Sequence, residues 1–584
     1  MLPNDPLRRV LFIDLSKRSF RVEERPGLFE ETLGGAGAAI RLLEELCPPG
    51  ADPLGPDNPI ILAVGPLVGL YPLGSKTVAM FKSPHTGNLG ESHAGGRSAV
   101  SIRMAGYGAV VIQGASPTPV YLVVDEKTVH FRDASALWGL RSSATIGAVI
   151  RQREAGRGVR SIMRIGRAGE RGVTYAGVIT ETYRHFGRLG LGAVFGAKKL
   201  KALVVSGQRE LPVADKKAYR EAYDAIYKAA TESPLMKKYH ELGTAINVLP
   251  LNASGALPTR NLQAGHFEGA ESISAEALAG GYLGRRVACA HCPVACIHLA
   301  ALRIRYPHDP YFYKTIMVGY DHEPVFAMGS LLGIHDVSGL LRLLDEAEVQ
   351  GLDVMSAGVA LAWATEMLEK GLITPADTDN LLLRFGDTEA YIEATKRIVS
   401  QPTDFYRALA RGVQHAASVY GGADFALAFG GNEMPGYHTG PGCHLGYLTG
   451  ARHSHLDSAG YSLDQSASAK GEKLTPGGVA ASLLKEERWR QVLSSLVVCF
   501  FARGVYDRDT VLKALATAGF SLTGEDLDRL GADTLRRKYA FKRREGFDPA
   551  ALPIPRRILD TPSPAGPFDE AFLRESIAAY MAGL

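Results

Sequence analysis

The chain has 584 residues, of which 46% are hydrophobic and 22% charged, with a formal net charge of +4. This is the balance of an ordinary globular protein, with room for three or four domains of ~150 residues each. So small a charge excludes a basic nucleic-acid binder or a protein drawn electrostatically to a membrane surface. No run reaches the ~18 apolar residues of a membrane span. Met1-Leu-Pro-Asn-Asp-Pro6 lacks a basic stretch followed by an apolar core, so no secretory signal is expected. Six cysteines, three of them within eight residues, fit a reducing cytoplasm better than a disulfide framework.

Short β-branched runs bounded by Gly or Pro open the chain: Val10-Leu-Phe-Ile-Asp14, Ile60-Ile-Leu-Ala-Val64, Thr77-Val-Ala-Met-Phe81, Ala109-Val-Val-Ile-Gln113 and Val120-Tyr-Leu-Val-Val124. No regular helical pattern separates them, so residues 1–207 read as a mostly antiparallel β-sheet domain. From about residue 211 the pattern turns helical. Lys216 to Leu242 reads as helix. Ser356 to Lys370 has a capping serine, an apolar stripe of Val359, Trp363, Met367 and Leu368, and a closing Gly371. Asp404 to Tyr420 repeats the pattern up to Gly421-Gly422. The prolines between Pro549 and Pro567 suggest a tail wrapping the surface in extended form. The fold class is therefore α+β: an N-terminal mostly antiparallel sheet domain (1–207) followed by two largely α-helical domains (211–415 and 416–584).

The second domain carries Cys289-Ala-His-Cys292-Pro-Val-Ala-Cys296, and the third carries Cys499. Four thiolates can hold one iron–sulfur cluster, with three on a tight loop and one brought back by the fold. Zinc, with His291 and His298 as further ligands, and coincidence are the rivals. Cys47 and Cys443 read as small buried hydrophobes. The first domain is dense in glycine loops: Gly34–Gly37, Gly65–Gly69, Gly87–Gly90, Gly95-Gly-Arg97 and Gly187-Arg-Leu-Gly-Leu-Gly192. Singly each is a turn. Together, with Lys76, Lys82, Arg97, Arg184 and Arg188, they suggest a large phosphate-bearing cofactor. Neither a Walker nor a Rossmann fingerprint fits.

Several stretches resemble the aldehyde ferredoxin oxidoreductase family: Ser83-Pro-His-Thr-Gly87, Ile165-Gly-Arg-Ala-Gly-Glu170, Gly187 to Lys201, Arg544-Glu-Gly-Phe547 and the cysteine set, in the family's order over nearly the whole chain. The resemblance implies tungsten, with molybdenum as the alternative, held by two pterin dithiolenes beside one [4Fe–4S] cluster. By position, Cys289, Cys292, Cys296 and Cys499 would be the cluster ligands. Lys76 stands where the family has an arginine between pterin and cluster, a point charge in place of a planar fork. His93 and His185 would lend backbone carbonyls to a Mg2+ ion bridging the pterin phosphates, with Arg184, Gly187 and Arg188 beside them. One pterin-gripping loop reads Glu348-Val-Gln-Gly351-Leu352-Asp353. The other, Ser494-Ser-Leu-Val-Val498-Cys499, keeps Val498 but has lost its acid and its Gly. Glu323 and His455 match the family's proton-transfer glutamate and histidine, both suited to acid–base work near neutral pH. His438 and His444 are weaker candidates; a structural role for His453 and His455 is the rival reading.

Leu341-Arg-Leu-Leu344 lacks the Glu-x-x-His pair with which some members bridge subunits by iron, so any homodimer is expected to lack that iron. Gly34-Gly-Ala-Gly37 also lacks a basic residue usual in the family. The implied reaction is oxidation of an aldehyde, or another acyl-type small molecule, to a carboxylic acid with water. Electrons would pass to ferredoxin or an iron–sulfur subunit docked near the Cys289–Cys296 loop. Two other readings stand beside it: a benzoyl-CoA reductase-type catalytic subunit, and a non-catalytic iron–sulfur scaffold.

Overall fold

A computed structural model describes every residue of the chain except 182, 307 and 503, and the side chain of residue 310. Two six-stranded sheets build the first third. In one the order is Ser19–Glu24, Arg9–Asp14, Ala109–Gln113, Ile60–Ala63, Thr77–Lys82, Leu89–Ala94. In the other it is His185–Phe186, Val178–Ile179, Val159–Arg164, Leu200–Gly207, Val120–Val124, Val129–Asp133. All neighbours run antiparallel except Arg9–Asp14 with Ala109–Gln113 and Leu200–Gly207 with Val120–Val124. Central strands buried along their whole length, such as Ile60–Ala63 and Leu200–Gly207, account for apolar runs without alternation.

Helices do lie between these strands, contrary to the sequence reading: Gly35–Leu46, Ser98–Ala105, Ser143–Arg153 and Leu191–Ala197. Gly and Ser weaken the helical signal of Ser98–Ala105, Ser143–Arg153 and Leu191–Ala197, whereas Gly35–Leu46 has an apolar face of Ile40, Leu42 and Leu43 that the sequence reading missed. The glycines serve packing. A Cβ on Gly35 would lie 2.2 Å from the Ser494 carbonyl oxygen, and one on Gly65 2.7 Å from the Leu496 carbonyl carbon.

The rest is mainly helical, interrupted by an antiparallel sheet of Leu283–Val287, Ile297–Tyr306 and Asp309–Tyr320. Three expected helices are altered by local chemistry. Lys216–Glu232 and Pro234–Leu242 are separated at Ser233, because the residue before a proline is driven from helical backbone. Asp404–Leu409 and Val413–Tyr420 flank Gly412, at φ +98°. The expected helix at 356–370 is Val354–Glu369, and Asp353 rather than Ser356 caps it. The proline-rich tail contains turns at Pro549–Ala551 and Arg557–Asp560 and leads into a last helix, Glu570–Ala582.

Two large hydrophobic cores result. One lies within the later part of the chain. The other joins residues of the first sheets to Val492–Phe541, so the chain returns to its beginning near its end. We expect Gly65→Ala to lower the melting temperature, by ~1–3 kcal/mol of overpacking or more. Gly27→Ala, where an added Cβ meets nothing within 4 Å, should leave it unchanged.

Candidate cofactor and active site

The loop 289–296 joins the first two strands of the three-stranded sheet. His291 and Ala295 take left-handed backbone, φ +56° and +51°, which curls it tightly. Backbone hydrogen bonds tie four segments together: Leu73 N–H to His291 O, Cys499 N–H to Leu73 O, Lys76 N–H to Val497 O and Ala290 N–H to Gly96 O. Val498 bridges Gly74 as an isolated β-pair. Cys289, Cys292, Cys296 and Cys499 thus lie within electrostatic reach of one another. Gly95 gives them room, since a Cβ there would sit 2.8 Å from Cys289 Sγ and 3.3 Å from Lys76 Nζ.

Burial raises the Cys292 thiol to about 12, with Cys289 adding to it. Burial likewise raises Cys296, against the pull of Arg184. Burial works against the charge on Lys76, but Cys499, Cys289 and Cys296 outweigh it and the net shift is upward. Such a thiol set becomes thiolate when a cationic centre sits among it. Among the described residues no three His, Cys, Asp or Glu side chains are arranged to hold a single metal ion. Four thiols on two neighbouring segments are the donor chemistry that an iron–sulfur cluster takes.

A cleft adjoins this region. Its walls bring together Arg184, His185, Gly187, Arg188, Glu348, Gly351, Leu352 and Asp353, eight residues singled out from sequence. Arg184 pairs with Asp321 at 2.6 Å, His185 Nε2 donates to Glu348 at 2.6 Å, and Arg188 Nε donates to Asp353 at 3.2 Å. Arg188 Nη2 donates to the Glu433 carbonyl at 2.7 Å, while Nη1 is buried without a partner. Burial opposes ionisation of Glu348, but His185 outweighs it and the carboxyl stays below its usual range. The glycine at 187 leaves open space. The orphan guanidinium nitrogen of Arg188 beside the glycine at 187 is a feature that suits an anionic group.

The other expected residues divide. His93 lies on Leu89–Ala94, which packs beside His185–Phe186. Its imidazole donates to Glu91 at 2.7 Å, and Glu91 also pairs with Lys538. Burial and then Arg452 push the His93 pKa down to about 4. Lys82 is committed to Glu545 at 2.5 Å in a buried pair, and Arg97 faces solvent. The loops at 34–37 and 65 face the 494–497 backbone. Of the five glycine loops, those at 95 and 187 adjoin the site, so the inference from all five was too broad.

Glu323 lies on His322–Met328, directly after Asp321, whose carboxylate is turned to Arg184 and Thr244, and His455 opens His455–Ser458 behind a Ser454–Asp457 capping box. His455 Nε2 and Glu323 Oε1 are 3.0 Å apart. Burial alone would raise the Glu323 carboxyl, but the hydrogen bond and charge of His455 bring it down to about 2. His455 Nδ1 is buried with no protein partner. Tyr437 Oη donates to Glu323 at 3.2 Å, and its ring stacks on Tyr461 at 4.6 Å. Sequence reading missed Tyr437, Asp321 and Glu433. Asp321, directly before His322-Glu323, was readable as a residue at a helix start. Tyr437 and Glu433 come from a glycine-rich loop whose path has no local signal.

His438 and His444 bond each other at 2.9 Å inside the core, and His453 bonds buried Lys542 at 2.9 Å. Leu341 and Leu344 are core residues, and Arg342 pairs with Glu389. Cys47 and Cys443 are buried. No single helix among the described residues is long and apolar enough to cross a membrane.

Comparison with known proteins places this geometry. The family model described as aldehyde ferredoxin oxidoreductase, N-terminal domain, matches residues 10–207, and that for domains 2 and 3 matches residues 221–582. The chain is 33% identical to a tungsten-containing aldehyde ferredoxin oxidoreductase of Thermococcus kodakarensis, over 96% of this chain and 92% of the relative. It is 32% identical to the protein of that description from Pyrococcus furiosus, with the same coverage. In fold it is similar to the active-site complex of a benzoyl-coenzyme A reductase solved with 1,5-dienoyl-CoA, at a TM-score of 0.79 and 21% identity, covering 99% of this chain and 94% of that one. The chain belongs to the aldehyde ferredoxin oxidoreductase family.

Proposed function

We propose that this oxidoreductase converts an aldehyde and water to a carboxylic acid, with the electrons passed to ferredoxin or an iron–sulfur partner subunit. The observation that carries the reading is the meeting of the four cysteines, Lys76 and Arg184 beside a cleft walled by Arg188 and the Glu348–Asp353 loop. The tungsten-containing relatives favour aldehyde oxidation over aromatic ring reduction. Cys289, Cys292, Cys296 and Cys499 would hold a [4Fe–4S] cluster. Arg184, Arg188, Gly187 and the Glu348–Asp353 loop would hold one arm of a tungsten or molybdenum bis-pterin, and Lys76 would lie between the two groups. Val498, beside Gly74, would serve the second arm, and His93 and His185 would lend carbonyls to Mg2+. Bound there, the metal supplies two-electron redox chemistry and the cluster one-electron transfer.

The chain's own share is orientation and proton handling. The Glu323 carboxylate accepts from His455 Nε2–H. A neutral ring then carries its lone pair on Nδ1, the atom with no protein partner. His455 is therefore set to take a proton at Nδ1, with Glu323 stabilising the imidazolium that forms. Tyr437 fixes the carboxylate from the other side.

Elemental analysis should find tungsten or molybdenum and about four irons per chain. Cys289→Ala and Cys499→Ala should each lose the iron and much of the stability. Zinc without iron in the purified protein would overturn the cluster assignment. Dye-linked assays should show turnover of aldehydes and none of benzoyl-CoA.

His455→Ala should keep metal, pterin and iron but lose turnover by ~10²–10⁴-fold, and Glu323→Gln should act in the same direction. A fully loaded His455→Ala enzyme with an unchanged rate would make His455 structural.

Glu323 adds a pH signature. Its folded pKa of about 2 lies below the ordinary 4.5. Its stabilisation is therefore full above the ordinary value and is lost progressively as pH falls toward the folded one. The wild type should outlast Glu323→Gln in urea at neutral pH, and the gap should close on acidification.

A further inference from the structure

The 151–160 segment, Arg151-Gln-Arg-Glu-Ala-Gly-Arg-Gly-Val-Arg160, holds four arginines and one glutamate, in a chain whose total charge is only +4. It runs from the end of helix Ser143–Arg153 into strand Val159–Arg164. Arg151 and Arg160 line a surface cleft with exposed Arg97 on another wall. The remaining wall is Ala290, between Cys289 and His291. Its N–H is bonded to Gly96 O, next to Arg97, which fixes the cysteine loop to the cleft. Glu181, the carboxylate on the wall, is tied down by the Ile162 N–H at 2.8 Å. Glu154, the acid of the segment, accepts from Tyr121 Oη at 2.7 Å. Arg97, Arg151, Arg153 and Arg157 are exposed, whereas Arg160 is held by the backbone carbonyls of residues 151, 154 and 155; Glu154 and one oxygen of Glu181 are engaged.

We propose that this arginine-lined cleft is the docking surface for an acidic iron–sulfur electron carrier. The proposal rests on the electron-transfer reading above. Two observations choose the occupant. The charge is complementary to a carboxylate-rich protein. The cleft is also continuous with the cysteine loop, so a carrier seated there lies beside Cys289. Another conspicuous surface is the hairpin tip, where Tyr311 is 87% and Phe312 63% exposed. It fits this role poorly. The strand from Ile297 to Tyr306 places it ten residues beyond the loop, or ~30 Å at ~3.3 Å per residue. Each docked carrier gains one electron, so two are reduced per turnover: RCHO + H2O gives RCOO−, three protons and two electrons.

The test titrates the loaded enzyme with a bacterial ferredoxin of strongly negative net charge, measuring Kd directly and KM in turnover. Wild-type Kd should rise at least ~tenfold between ~0.02 M and ~0.3 M salt. A flat salt dependence would overturn the proposal without any variant. Arg151→Glu with Arg157→Glu, the latter between cleft residues 155 and 158, should raise Kd and KM ~tenfold at low salt and flatten the salt dependence. Its iron content and dye-linked aldehyde turnover should match wild type. Tyr311→Ser with Phe312→Ser should leave Kd unchanged. Carrier binding lost in the tip variant but kept in the cleft variant would overturn the assignment, as would a cleft variant altered only in self-association. Wild type with no dye-linked aldehyde turnover would instead refute the functional reading.

Discussion

The return of residues 492–499 to the start of the chain is the constraint on which the site depends. The backbone of Ser494 to Val497 lies against Gly35 and Gly65, at distances no side chain would tolerate. From there Val497 and Val498 pair with the 74–76 segment, and Cys499 bonds Leu73. The cysteine loop closes on the same segment through His291. If the 494–497 backbone moved away by one Cβ, the fourth sulfur would leave the other three. The packing glycines are thus as necessary to the cysteine site as the cysteines, though none touches a sulfur except through Gly95.

The cleft is rigid for a different reason. Its charged walls are each held by a second partner. Asp353 caps a helix and binds Arg188. Ser356 Oγ bonds both Asp353 and Glu433, at 2.6 Å each. Glu433 meets His85 at 2.8 Å, and burial's tendency to raise its carboxyl is outweighed by His85, which holds it at about 2. Buried charges are costly unless so connected, and when connected they leave few alternative arrangements. Arg188 Nη1 is the place where the network stops, and Arg188 lines the cleft.

Much of this was legible in the chain. Four sulfurs in a C-x2-C-x3-C plus one pattern announced a shared thiolate site, and motif positions brought out the eight cleft residues together with Glu323 and His455. What escaped has definable causes. Most of the first domain's helices are short and rich in small residues, so their periodicity is weak, although Gly35–Leu46 carries an apolar face. Glycines packed against protein look, in sequence, like glycines opened to a ligand, so Gly35 and Gly65 were read with Gly95 and Gly187. Lys82 looked like a phosphate ligand because nothing local shows that Glu545, far along the chain, meets it. Tyr437 reaches Glu323 from a loop with no regular pattern. The arginines of 151–160 gain meaning only when Ala290 is seen beside them.

The split of the cysteines between two distant segments also has a temporal side. About 200 residues separate Cys296 from Cys499. During synthesis, the first three sulfurs leave the ribosome well before the fourth, and the core that joins the first sheets to Val492–Phe541 cannot close until then. If the proposed cluster is held by all four sulfurs, its binding is completed only after translation has passed Cys499. Once in place it cross-links the chain across a long loop, where lost loop entropy restrains the unfolded state most. On that reading maturation is ordered, with emergence of the Cys499 segment first and closure of the thiolate site second.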